Sequence, residues 1–231
     1  MAFNFATFKT RALTALVFVA VMLTGLFWNF WSFLALFIII HFGCWYEFIK
    51  LMNKIHGKKF LPYCLLGFIY ISLPCVLMVD LYGAQELSCF GTPLIAGKNL
   101  LPLAIFASIW INDTMAYLVG SFIGKTPLSK ISPKKTVEGT AGGMLLCIVV
   151  VGLLAHFILG GEMAVTMTAM CIAAICAVFG TLGDLLESKI KRMADVKDSG
   201  SFMPGHGGFL DRFDSMLVAT PFVWLFIRIF C

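Results

Sequence analysis

The sequence predicts an all-α protein, a polytopic transmembrane helix bundle of about seven spans with its N-terminus in the cytoplasm. Three observations predict it. The mean hydropathy is +0.95 and charged residues make up only 13% of the chain, against about 25% in soluble domains. Apolar segments long enough to cross a bilayer, about 20 residues each, recur at 12–28, 30–49, 60–79, 99–121, 141–160, 163–186 and 209–230. Finally, the cations fall in alternate loops: Lys9 and Arg11; Lys50, Lys54, Lys58 and Lys59; Lys125, Lys130, Lys134 and Lys135; Lys189, Lys191, Arg192, Lys197 and Arg212. An inside N-terminus puts these on one face and leaves only Lys98 and Arg228, of 17 Lys and Arg, on the other. That is the positive-inside distribution.

The first segment follows two cations, like a signal peptide, but it is as long as a span and no small-x-small cleavage site follows it, so it reads as a retained helix. A very short turn at Trp28–Asn29 leads into the second. Trp28, Trp31, Trp45, Tyr46 and Tyr82 sit near segment ends, where an interfacial belt places aromatics. Residues 80–98 read as an outside loop, a re-entrant piece or part of a further crossing; two extra crossings or none preserve the charge pattern, and one breaks it. The chain reads as a single membrane-embedded domain, 1–231, with generic spans in 1–100 and the chemistry-bearing motifs in 101–231. The eight cysteines form no CxxC pair and most lie in apolar runs, so they are expected to act as small hydrophobes rather than as a disulfide framework or zinc site. The net charge of +5 reflects loop bias, and no nucleic-acid partner is expected.

Polar residues inside spans carry the functional signal. The fourth segment contains Asn112, Asp113 and Thr114, with Asp113 and Tyr117 on one helical face. An ionised Asp there costs about 2.5–3.5 kcal/mol, so it is expected to face a cavity, a cation or a partner; the plainer alternative is a cap or a bond to a neighbouring helix. In the following SPKKTVEGTAGG stretch, Ser132 to Gly143, Pro133 breaks the helix and Lys134, Lys135 and Thr136 precede the next one. Cations and a hydroxyl before a helix N-terminus suit phosphate, although this is not a P-loop, and loop charge alone would also explain the lysines.

The sixth segment ends GTLGDLLESKIKR and carries Asp184; Asp211 and Asp214, three residues apart, open the seventh. Between them lies the most charged stretch of the chain, with Glu187, Asp195 and Asp198 among its carboxylates and four glycines in 188–214. A helix ending and a helix starting on the same membrane face can bring Asp184, Asp211 and Asp214 together, and an all-oxygen set suits Mg²⁺. Alternatively, Lys189, Arg192 and Arg212 merely neutralise them. His206 orients a phosphate or caps a turn; both roles stay open.

The stretch from Ser188 to Asp214, S-x-I-K-R-x₄-K-D-x-G-x₂-M-P-G-H-G-G-F-x-D-R-F-D, resembles the phosphatidate cytidylyltransferase (CDP-diacylglycerol synthase) family at nearly every fixed position, with Met203 where Ile or Leu is more usual. N-D-T-x-A-Y-x-x-G at Asn112–Gly120, S-P-K-K-T-V-E-G at Ser132–Gly139 and G-D-L-x-x-S at Gly183–Ser188 resemble family motifs too. The resemblance covers about residues 105–217.

It implies transfer of the cytidylyl group of CTP to phosphatidic acid, giving CDP-diacylglycerol and pyrophosphate. It implies Mg²⁺, with room for a second cation, on Asp184, Asp211 and Asp214, and a catalytic set that adds Lys197 and Asp198. Substrate contacts are expected from Asn112, Asp113, Ser132, Lys134, Lys135, Thr136, Lys191, Arg192, His206, Gly207, Gly208 and Arg212. The expected setting is the bacterial inner membrane with the active site facing the cytoplasm, in contact with membrane lipids, and a homodimer is a further implication. A polyprenol kinase or an archaeal-type lipid cytidylyltransferase would share the CTP chemistry. A cation-coupled transporter would use Asp113, Asp184 and Asp211 as an ion path, but no inverted repeat accompanies them.

Overall fold

A computed structural model of the chain describes residues 5–84, 86–90, 92–95, 99–202 and 207–231, with side chains from Leu13 onward apart from those of 86–87 and 92–95. The architecture is all-α with one small hairpin. Among the described residues, six helical stretches are long and apolar enough to cross a membrane, and Leu13–Phe27 is a shorter apolar helix before them. Together they correspond to the expected spans of an integral membrane protein.

The chain forms two compact units: residues 1–75 with 190–213, and residues 76–189 with 214–231. In the first, α1 (Phe5–Phe27) and α2 (Phe30–His56) are joined by a turn that Asn29 and Ser32 cap reciprocally, at 2.9 and 3.0 Å. Phe33, Phe37, Ile40, Cys44 and Phe48 make the buried stripe of α2. This helix runs past the expected end at 49 until Gly57, with φ 55, terminates it.

The third span is assembled from pieces: α3 (Leu61–Cys64), a π-helical turn at Phe68–Ser72 and α4 (Leu73–Gly83). Pro74 lacks an N–H and crowds the carbonyl four residues back, so the turn before it widens. Ser72 Oγ bonds both His41 Nε2 and Trp45 Nε1 at 2.9 Å, satisfying polar atoms that lipid would leave stranded.

The second unit contains a hairpin, α5 (Leu100–Ile123) and α6 (Val137–Ile158), the greater part of α7 (Met163–Met193), and most of α8 (Leu210–Phe230). Helices α5 and α6 meet through small residues. A Cβ on Gly143 would lie 2.6 Å from Ala116 Cα, and one on Gly139 would lie 2.8 Å from Gly120 Cα. Gly139 and Gly143 thus face Ala116 and Gly120, each pair four residues apart, which is how membrane helices approach without a hydrophobic drive. Further along, Cys147, Val151 and Ala173 form a buried cluster with Ile111, Ile148 and Ala169.

Within the stretch 80–98, residues 80–83 end α4, and β1 (Glu86–Cys89) and β2 (Thr92–Ile95) form an antiparallel pair with Cys89 opposite Thr92. Strands of four residues are too short to cross, since a membrane strand needs about 9–11. The cysteine expectation needs a correction here. Cys44, Cys64, Cys75, Cys147 and Cys176 are buried and outside any disulfide, but Cys89 and Cys231 form one across 142 residues. Spacing could not reveal it, because only the packing of α8 beside the hairpin brings the two together. Ser88 N donates to Cys231 O at 3.1 Å, and Asp80 accepts from Trp224 Nε1 at 2.7 Å and from Arg228. Arg228, one of the two cations left outside by the loop count, is therefore paired.

Candidate active site

The loop that leads into α6 is tightly hydrogen-bonded. Thr136 is the N-cap of the helix and accepts from Gly139 N at 3.1 Å. The preceding loop folds back on itself: Leu128 N donates to Lys135 O at 2.8 Å, Val137 N to Thr126 O at 2.9 Å, and Lys135 N to Ser132 O at 3.2 Å. Glu138 accepts from Lys125 N and Thr126 N, both at 3.1 Å. Its carboxylate therefore clasps the loop. Ser132 shapes the turn through its carbonyl.

This loop closes one side of a cavity of about 350 Å³ in the second unit. Helix α5 lines it with Asn112, Asp113, Tyr117 and Ser121; the loop and α6 add Lys134, Lys135, Thr136 and Thr140; α7 adds Thr181 and Asp184. Asn112 is 4% exposed, and its Oδ1 accepts no hydrogen bond from the described residues. A buried acceptor of that kind costs about 1–3 kcal/mol until a donor reaches it. Lys135 Nζ is paired with Asp184 Oδ2, both side chains being largely covered, and Asp184 Oδ1 accepts from Ser188 Oγ at 3.3 Å.

At the foot of α7, Asp184, Glu187 and Asp214 offer carboxylate oxygens that all lie within 4.8 Å of one another. Glu187 and Asp214 are buried. Gly183 allows the approach: a Cβ there would lie 2.5 Å from Asp214 O. Three carboxylates this close, two of them out of solvent, repel one another unless a cation or protons intervene. Their donor set is all oxygen, which fits a hard divalent ion such as Mg²⁺.

Of the three expected metal carboxylates, Asp184 and Asp214 stand in this trio. The sequence reading counted Glu187 only as a charge, although it lies one turn from Asp184. Asp211 has other partners. Its carboxylate takes Lys191 Nζ at 2.6 Å, Ser199 N and Oγ at 2.8 Å and Gly208 N at 2.8 Å, all in the first unit. Arg192 donates to Val196 O at 3.2 Å. Lys197, Asp198 and Arg212 are exposed, and Gly207 has φ 89 beside the Asp211 carboxylate. His206 lies outside the described residues. Tyr117, Ser121, Thr140 and Thr181 escaped the sequence reading as pocket residues, although the shared face of Asp113 and Tyr117 was a signal for one of them.

A family model described as "Cytidylyltransferase family" matches residues 81–230. The chain is 46% identical over 124 residues to a phosphatidate cytidylyltransferase of Bacillus subtilis, covering 53% of this chain and 45% of that protein. It is 44% identical over 131 residues to one of Synechocystis sp., covering 55% and 43%. A Staphylococcus aureus relative with the same name is 38% identical over 186 residues, covering 78% of this chain and 70% of that one. The chain thus spans less than half the length of the first two relatives.

Proposed function

Because the chain belongs to the cytidylyltransferase family, we propose that it transfers the cytidylyl group of CTP to phosphatidic acid and releases pyrophosphate. The observation that carries this reading is the cavity in which Lys134, Lys135 and the N-cap of α6 stand with Asp184, as a polyphosphate and its counter-ion require. An oxygen of phosphatidate attacks the α-phosphorus. The new O–P bond forms as the bond to the β-phosphate oxygen breaks, and pyrophosphate leaves with the electron pair. The attacking oxygen is already ionised at neutral pH, so the step needs orientation and charge stabilisation more than a base.

Each residue then has a task. Lys134 and Lys135 bind phosphate oxygens, and the N-terminus of α6 adds the positive end of a helix dipole. Asn112 Oδ1 receives an N–H or O–H of the nucleotide. Asp184, Glu187 and Asp214 would hold Mg²⁺, which when bound offsets the charge of the triphosphate and of the departing pyrophosphate. The relatives favour neither a lipid kinase nor a cation-coupled transporter. A homodimer remains an expectation of the resemblance.

We place the cavity on the cytoplasmic side of a bacterial inner membrane. The lysine-rich loops support this, and so does the disulfide at the other end of α8, since such bonds persist in oxidising compartments. Alkylation of the denatured, unreduced chain should then count six free thiols; eight would put that end on the reducing side and reverse the orientation. For the activity, purified protein with CTP, phosphatidic acid and Mg²⁺ should release pyrophosphate. Asp184→Asn should lower the rate by about 10²-fold or more, while the protein elutes and melts like wild type. Wild type without metal-dependent release, or a fully active Asp184→Asn, sinks the reading.

A further inference from the structure

The family match begins at residue 81, yet a carboxylate far upstream of it holds part of the glycine-rich motif. We infer that Glu47 is a positioning residue that sets Ser199–Gly200 and the start of α8 for the proposed reaction, on which this role rests. Glu47 projects from α2, a helix otherwise rich in apolar residues, and is 3% exposed. A carboxylate buried to that degree costs several kcal/mol unless it is fully hydrogen-bonded. Its bonds are specific. Oε2 accepts from Ser199 Oγ at 2.7 Å and from Leu210 N at 2.9 Å, and Oε1 accepts from Phe209 N at 3.0 Å. The last two donors are amides at the N-terminus of α8, which carry the positive end of its dipole. Charge-assisted bonds of this kind are about twice as strong as neutral ones.

The motif glycines make room for it. A Cβ on Gly200 would lie 2.1 Å from Glu47 Oε1, and one on Gly208 would lie 2.2 Å from both oxygens. One turn earlier on α2, a Cβ on Gly43 would meet the Phe209 ring at 2.5 Å. The backbone at both motif glycines thus closes around a side chain from outside the motif. Ser199 carries the effect onward. Its Oγ is 2.7 Å from Glu47 Oε2 and 2.8 Å from Asp211 Oδ2, and its single hydrogen serves one carboxylate at a time. Asp211 also takes Ser199 N and Gly208 N, so Glu47 and Asp211 grip the same two backbone segments.

The test uses the full chain in nanodiscs and two readouts. Hydrogen exchange by mass spectrometry follows the amides of 199–202 and 207–211, with 140–158 in α6 as reference. Pyrophosphate release gives kcat and the KM for CTP. Glu47→Gln keeps the shape but replaces one acceptor with a donor; Glu47→Ala removes both. Both should speed exchange of the gripped amides about 10-fold or more, leave 140–158 unchanged, and lower kcat about 30-fold with KM for CTP within about 3-fold. Unchanged exchange in Glu47→Gln overturns the clasp. Faster exchange with wild-type kcat reduces Glu47 to a purely structural part and overturns the positioning role. If wild type releases no pyrophosphate, the cytidylyltransfer reading fails and exchange alone judges the clasp.

Discussion

Glu187→Gln will suppress Mg²⁺-dependent pyrophosphate release by about 10²–10³-fold, nearly as far as Asp184→Asn, if the buried trio is the metal site. The substitution keeps the shape of the side chain and removes only its charge. Glu187 is fully buried, and its carboxylate lies within 4.8 Å of those of Asp184 and Asp214. A cation there is held by the summed charge of the three, so losing one weakens the hold and the neutralisation it supplies. Binding can be read without turnover. An ion at 100 times its Kd stabilises the folded state by about 2.7 kcal/mol, so Mg²⁺ should raise the Tm of wild type, and Glu187→Gln should lose most of that rise. Lys189→Gln, two residues on and exposed, is the control and should keep both. Wild-type activity together with a wild-type Mg²⁺ shift in Glu187→Gln would remove Glu187 from the site.

Gly143→Leu should lower the stability of the second unit by about 3 kcal/mol or more, through overpacking at a point where backbone meets backbone. A Cβ at this position would lie 2.6 Å from Ala116 N, Cα and Cβ at once. No rotamer change relieves contacts with a neighbouring main chain, so α5 and α6 must move apart. Separation would also displace Asn112 and Asp113 from Thr136 and Thr140, which line the same cavity. Thermal melting in detergent and the yield of monodisperse protein would measure it. Gly83→Ala, where nothing lies within 4 Å of an added Cβ, should change neither. A Gly143→Leu protein that melts like wild type would show that the helices do not meet there.

Much of this was legible in the chain. The spans follow from hydropathy, because a chain crossing lipid must satisfy every backbone group internally and a continuous apolar run of about 20 residues does so as a helix. The cavity's Asn112, Asp113, Lys134, Lys135, Thr136 and Asp184 stood out because polar groups at span ends are costly enough to need a purpose. The acidic trio was half legible: Asp184 and Asp214 were singled out, whereas Glu187 was hidden among the charges around it. Its one-turn spacing from Asp184 was visible, but its burial was not. Asp211 and Asp214 look equivalent in sequence, three residues apart on one helix. The structure gives them different partners, because Asp211 sits where Lys191, Ser199 N and Gly208 N converge.

The sequence by itself determined the all-α membrane class, the succession of spans, the alternate-loop pattern of the cations, and the family through its motifs. These are properties of local composition and spacing, which need no knowledge of what packs on what. Only the tertiary structure decided that residues 86–89 pair with 92–95, that Cys89 reaches Cys231, that Glu187 completes the carboxylate trio, and that Glu47 holds the motif glycines. Each is a contact between residues distant in sequence or a matter of which helix face is buried. The hydrogen-bond and steric demands that select such contacts act only once the helices are side by side.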